Sequence, residues 1–360
     1  MRPSKEWCRG LNDELKEETK MGFEEIMRAI TAGMTGEKEK DAKYLVEQME
    51  KYKDHEMGKE IVRACGRLLY NCIPEDDRNM LERFVNNNRM SYESVLDEAR
   101  FKQHEKKYDE ALNLVEGVIR NLEEINLFAD DQVSEYHCFN EFFEAMLYRH
   151  YAKPTKDLRQ ASIPMDEIYL LQGSILIDLR RYSDAESALA KAMRWNPANA
   201  RIAFEHAETR KLQGDMDGFF QLTLDTFRYA FRPKDVARCF RNLGFYFTEK
   251  ELWKESVACF TMSLQFEPES TMAMSELYYI QQKTGRSTPP PNMEEYKTIS
   301  EKYGFPVRVH PDILPLAFAC GNQFEENGDY EGTRYCWQIA YDLTGAEEIK
   351  ERMNQFPKEE

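Results

Sequence analysis

The stretch 166–197, DEIYLLQGSILIDLRRYSDAESALAKAMRWNP, decides how this chain folds. In its first half Tyr169, Leu170, Gly173, Leu176 and Ile177 recur at helical spacing. Arg180, Arg181 and Tyr182 bridge a turn, after which Ala185, Leu189, Ala192 and Met193 resume the period until Pro197 ends it. Two short amphipathic helices joined this tightly form a hairpin that cannot bury its own apolar faces, so it must lie against neighbours. Gly173, Ala185 and Ala192 leave room for close backbone approach, and Tyr169, Leu176 and Leu189 fill the space around the crossing.

Working outward, the pattern returns. The next copy, 200–233, begins 34 residues on (200 − 166 = 34) and keeps Ala203, Ala207 and Gly214. A cleaner copy follows as Phe240-x2-Leu243-Gly244-x2-Phe247, Ser256-x3-Phe260 and Pro268. Residues 269–285 supply one more first helix, with Met272, Met274, Leu277, Tyr278 and Ile280. Pro289–Pro291 stiffen the turn before a helix over 293–303. The last copy carries Gly321-x2-Phe324, Gly328-Asp329-Tyr330 and Thr333-x3-Trp337 with Ala340. Upstream, 91–124 fits through Ala99, a turn near 105–108, and Ala111, Val115 and Val118, which precede their counterparts by 185 − 111 = 74 residues. Between these lie 131–151, rich in aromatics and expected as a long helix, and 152–164, which has no helical period and reads as an extended strap or loop.

Taken together, Tyr169-x2-Gln172-Gly173-x2-Leu176, Ala185-x3-Leu189 and Pro197, with the copies around Gly244 and Gly321, resemble the tetratricopeptide repeat. Gln172 departs from the usual apolar choice. The resemblance covers about 92–350 and implies an all-α, right-handed α-α superhelix (a tetratricopeptide-like solenoid) whose first helices line a concave groove. Residues 91–360 would form that repeat domain, and 1–90 an N-terminal segment of degenerate helix pairs. Helices are expected there at 11–33, 37–54 and 59–71, with a fourth opening at Pro74 and a break at Asn86–Asn88.

Composition agrees with an all-α reading. Gly (17) and Pro (14) are too scarce in 360 residues for a many-turned all-β fold. A net charge of −16 disfavours nucleic acid and acidic membrane surfaces. No apolar run suggests a membrane span or secretory signal. Eight cysteines without a Cys-x-x-Cys pair sit mostly at apolar helical positions, as buried free thiols do in the reducing cytoplasm.

Catalytic and metal motifs are missing from the sequence. His55, His104, His137, His150, His206 and His310 show no ligand spacing, and no nucleophile elbow, P-loop or dinucleotide turn occurs. The chain is therefore expected to be no enzyme and to need no cofactor or metal. The repeat resemblance instead implies partner binding by inward residues of successive first helices: Leu170, Ser174, Arg201, Phe204, Lys211, Arg238, Arg241 and Phe245. Arginines flanked by phenylalanines suit an extended, acidic and apolar peptide. The local run Arg228, Arg232, Lys234, Arg238, Arg241 has a second reading, in which the arginines pair with acids of neighbouring helices and only staple the stack. Some tetratricopeptide proteins clamp a C-terminal carboxylate with Lys, Asn and Arg; Leu170, Ser174 and Glu205 stand where that clamp needs other residues. Met262, Met272 and Met274 either fill the core or line an adaptable surface. The function expected is a non-catalytic protein- or peptide-binding scaffold. The alternative is a peptide-sensing regulator whose effector part is 1–90.

Overall fold

The structure, a computed structural model, describes residues 21–72, 92–126, 128–285 and 289–356. Their helices are α1 (Met21–Ala32), α2 (Lys38–Tyr52), α3 (Gly58–Cys72), α4 (92–104), α5 (Tyr108–Ile125), α6 (Phe142–Ala152), α7 (Met165–Asp178), α8 (Tyr182–Trp195), α9 (Ala200–Leu212) and α10 (Met216–Thr226). There follow α11 (Pro233–Glu249), α12 (Trp253–Phe266), α13 (Thr271–Thr284), α14 (Met293–Tyr303), α15 (Ile313–Glu326), α16 (Tyr330–Thr344) and α17 (Glu347–Met353). Strands β1 (Ser134–His137) and β2 (Asp157–Gln160) pair in parallel. The protein is thus a helical-repeat chain built from consecutive helix pairs. The first half of the helix expected over 11–33, the helix opening at Pro74 and the break at Asn86–Asn88 lie outside the described residues. None of the described helices is long and apolar enough to cross a membrane.

Two compact units emerge. The first holds the described residues up to Cys138 together with Ala152–Leu179; the second holds Phe139–Tyr151 and the chain from Arg180 onward. The boundary expected at 90 falls on residues outside the description. Within the first unit, Ile30, Leu45, Ile61, Cys65 and Cys72 form one apolar cluster of α1–α3. Buried Asp41 ties the turn before α2: its carboxylate accepts from Thr35 N at 2.7 Å and Gly36 N at 2.9 Å. Helix α5 packs on α7, where the Tyr169 hydroxyl donates to Glu123 Oε1 at 2.7 Å.

The long helix expected over 131–151 is not what forms. Only α6 is helical there. Asp131 Oδ1 accepts from Val133 N (2.9 Å) and Ser134 N (2.6 Å), and Asp130 Oδ1 accepts from Tyr136 N (2.8 Å). Side chains thereby take backbone donors that a helix would have used. The strap expected over 152–164 is extended, as read, and its β2 segment sets Ser134 opposite Asp157 and His137 opposite Gln160. A parallel pair needs a long crossover, and the chain between β1 and β2 includes α6.

In the second unit the hairpins α9–α10, α11–α12 and α15–α16 succeed one another. The same left-handed turn residue recurs in both units: Lys106, Arg180, Gly214, Glu251 and Gly328 have φ of 62°, 60°, 81°, 56° and 74°. Glycine takes that conformation without the Cβ penalty of the other three. Glu251→Gly is therefore expected to stabilise the α11–α12 hairpin by about 0.5–1 kcal/mol, read as a higher denaturation midpoint.

The motif glycine Gly244 marks a close crossing of α11 and α12. A Cβ there would stand 2.9 Å from three ring carbons of Phe260. Around it the Ser256 hydroxyl donates to Gly244 O at 2.9 Å and meets Thr248 Oγ1 at 2.7 Å, all buried. Gly244→Val, which forces the fully packed ring aside, is expected to cost about 2–3 kcal/mol in urea unfolding.

Helix α6 is seated in the second unit by both chemistries. The ring of Phe142 lies 4.8 Å from that of Phe324, and Phe143 lies 5.1 Å from Phe231. Glu144, buried, accepts from Asn140 N (2.7 Å), Glu141 N (3.3 Å) and Asn196 Nδ2 (2.9 Å). Tyr335 donates to Glu141 at 2.8 Å, and Arg232 pairs with the same carboxylate.

Candidate partner-binding surface

The eight residues expected to meet a partner divide between the units. Leu170 and Ser174 belong to the first. Leu170 is buried at 3% exposure, inside the packing rather than on a surface. Ser174 Oγ accepts from Gln103 Nε2 at 2.9 Å, and the same amide reaches Asp178 at 2.7 Å. This hydrogen-bonded step joins α4 to α7. The first unit also has an open cleft of about 630 Å³ edged by Lys53, His55, Lys59 and Lys156 with several acids. Its charges are partly engaged within the chain: Glu60 accepts from Gln132 N at 2.9 Å and Lys156 donates to Asp131 O at 2.6 Å.

The other six stand on α9 and α11 of the second unit. Arg201 is exposed at the start of α9, beside Asn199, whose side chain caps the helix by accepting from Arg201 N at 3.0 Å. Phe204 is buried at 2%, and the Arg238 guanidinium lies 4.6 Å over its ring. Arg238 also pairs with Glu205 at 3.1 Å. Lys211 sits 4.7 Å over the Phe245 ring and pairs with Glu208 at 2.6 Å. Phe245 is half-buried and meets Phe219 edge-on at 6.1 Å.

Arg241 is the most enclosed of the cations. It pairs with Glu267 and lies 3.4 Å from Ser263 Oγ and 3.5 Å from Ser270 Oγ. Ser270 is the cap of α13, accepting from Ala273 N at 3.4 Å. Arg241 therefore staples α11 to the chain entering α13. Arg228 and Arg232 likewise have acids, Asp225 at 4.0 Å and Asp235 at 3.4 Å. The stapling reading describes Arg238, Arg241 and the Arg232–Glu141 pair, whose acids belong to other elements, whereas Arg228–Asp225 and Arg232–Asp235 are local pairs three residues apart. Glu325, near the end of α15, is held by Arg352 through both carboxylate oxygens at 2.6 and 2.7 Å.

What sequence reasoning left open for the methionines, and missed for Tyr279, stands on α13. The repeat offset carries Lys211 to Phe245 and Phe245 to Tyr279 (211 + 34 = 245; 245 + 34 = 279), and Arg238 to Met272. Met272 is 63% exposed and Tyr279 47%; on the far flank Met274 and Tyr278 are exposed as well. Only Ala273 and Ile280 of this helix are buried, in a cluster with Val257 and Phe260. Met262 does fill the core, but Met272 and Met274 do not, because the buried side of α13 is the one through 273, 277 and 280. Continuing the offset one repeat further would have found Met272 and Tyr279.

The carboxylates beside them are unlike the cations. Burial pushes the Glu276 carboxyl up, Glu249 repels it further, and Lys211 draws it down. No group of three or more His, Cys, Asp or Glu among the described residues is placed to hold a metal. The surface offers exposed apolar side chains beside charged ones.

No family profile and no curated protein matches this chain. Among solved structures it is similar to the subject of "Functional Characterization of Pseudomonas Aeruginosa pilF", 12% identical over 74% of this chain and 98% of that one, with a TM-score of 0.39. It is similar also to a chain of the APC/C hetero-tetramer Cut9-Hcn1, 10% identical over 87% of this chain and 60% of that one, with a TM-score of 0.31.

Proposed function

We propose that this chain is a non-catalytic protein-interaction scaffold, and that the second unit receives a peptide segment across α9, α11 and α13. One observation carries the reading: Met272 and Tyr279 are exposed on one flank of α13, whose buried Ala273 and Ile280 belong to the cluster on which half-buried Phe245 packs. Aromatic and methionine side chains gathered in this way are what interfaces use for desolvated contact. The seven described cysteines are free and buried, which fits a reducing compartment such as the cytoplasm. The sensor alternative, with an effector in 1–90, has no observation of its own in its favour.

The test is a phage-displayed library of random peptides panned on the full chain. The reading expects enriched binders whose retention falls by roughly tenfold or more with Phe245→Ala/Tyr279→Ala. A library that yields no binder, or binders indifferent to this pair, refutes it.

A further inference from the structure

The charge left over on this surface is negative. Three of the four cations of the expected positive stripe have an acid of their own: Arg238 has Glu205, Arg241 has Glu267, Lys211 has Glu208. Glu249, Glu269 and Glu276 have no ion pair or hydrogen bond to their side chains among the described residues, and Lys283 is the single unpaired ammonium on α13. Glu276 lies one helical turn from both Met272 and Tyr279 on α13, so a carboxylate stands between two exposed apolar groups on one side of the helix, with Glu269 in the turn before it.

We infer that the partner segment is basic and apolar: lysines or arginines interspersed with large hydrophobic side chains, docked along α11 and α13 against Glu249, Glu276, Met272 and Tyr279. This rests on the scaffold reading above and reverses the charge expected from the arginine run. The physical reason is a difference in what binding must break. An acidic peptide has to compete with the Glu205, Glu267 and Glu208 pairs for its cations, whereas a basic one meets carboxylates that hold no ion pair, Glu276 feeling only the more distant charge of Lys211. Glu276 and Glu249 already repel each other across the α11–α13 step, so an arriving ammonium or guanidinium relieves a cost present in the free protein. Met272 and Tyr279 then close over the apolar side chains and lower the local dielectric around those pairs. The chain's net charge of −16 assists encounter with the same class of partner.

Two synthetic peptides of equal length test this, one of leucine and lysine, the other of leucine and glutamate, titrated by fluorescence anisotropy against the full chain. The lysine peptide is expected to bind tighter by roughly tenfold or more. Glu249→Gln/Glu276→Gln should weaken it by roughly tenfold, while the equally charged Glu301→Gln/Glu326→Gln, exposed on α14 and α15, changes it less than about twofold. Met272→Ala/Tyr279→Ala should weaken it without altering its salt dependence. Equal loss from both glutamate pairs means that net charge alone attracts the peptide, and overturns the proposal. Tighter binding of the glutamate peptide overturns it as well, as does self-association of the chain that Met272→Ala/Tyr279→Ala abolishes. If the library yields acidic binders that depend on Phe245 and Tyr279, the scaffold stands and only the basic partner fails; if it yields none, the scaffold reading itself falls.

Discussion

Glu144→Ala is expected to lower the unfolding free energy of the second unit by about 3–5 kcal/mol, since it strands the buried amide of Asn196 and two part-buried backbone donors at once. Asn140 N, Glu141 N and Asn196 Nδ2 all converge on one carboxylate, and Asn196 is itself fully buried. Urea unfolding followed by far-ultraviolet circular dichroism gives the number. A loss below about 1 kcal/mol would mean that water reaches these donors and the network is not closed. Glu144→Gln separates the hydrogen bonds from the charge, because an amide oxygen still accepts.

That variant also isolates a pH effect whose sign follows from burial. Burial lifts the Glu144 carboxyl from 4.5 to about 7, against the pull of Asn196, the backbone amide of Asn140 and the Arg232 charge. Below the unfolded value the group is protonated in both states and opposes nothing. As pH climbs through the window from 4.5 to about 7, the unfolded chain releases its proton while the folded chain keeps it. Stability therefore falls across this window, by on the order of 3 kcal/mol for the full shift. The difference between wild type and Glu144→Gln should grow in the variant's favour from pH 5 to pH 8. A flat difference would show that Glu144 is ionised throughout.

Phe305→Ala should be as costly, about 3–5 kcal/mol, for a different reason. Phe305 is buried, and its ring faces Phe240 and Phe247 at 6.3 Å each and Tyr296 at 6.1 Å. Its carbonyl accepts from Ser300, which turns the chain back just after α14. The ring thus anchors α14 on α11, with Tyr303 reaching Phe247 at 4.6 Å. Truncation leaves a ring-sized cavity among aromatics that cannot collapse into it. Hydrogen exchange should show faster exchange in α14 than in α9 and α10. Uniform acceleration across the unit would mean that α14 is not a separable cap.

The hairpins were legible because helical period and small-residue placement are local facts about the chain. Gly244 against Phe260, and Gly321 with a Cβ position 3.0 Å from Trp337 Nε1, are the crossings that the repeated glycines announced. The helix over 293–303 was read to the residue, since Asn292 and Glu295 form a capping box at its start and Gly304 ends it at φ 76°. The stretch 131–151 misled because its aromatics fit a helical period as well as they fit strand and loop. Asp130 and Asp131 settled the matter through backbone hydrogen bonds that no pattern of hydrophobicity contains.

The candidate surface was legible in its lane and not in its charge. Arg238, Arg241, Lys211 and Phe245 do stand on successive first helices, since a 34-residue offset carries one position to the next. Whether an arginine is available depends on which acid lies across from it. Glu205, Glu208 and Glu267 come from helices and turns whose juxtaposition is a matter of packing.

By itself, then, the sequence determined the all-helical hairpins, their turns and their step, because each follows from side chains within one or two helical turns of one another. The tertiary structure alone decided which charges are spent and which remain, that Glu144 is sealed from water, and that α13 keeps its methionines and tyrosines outside. Those outcomes depend on groups far apart in the chain, and free energies of desolvation and pairing are properties of the assembled neighbourhood rather than of any residue in it.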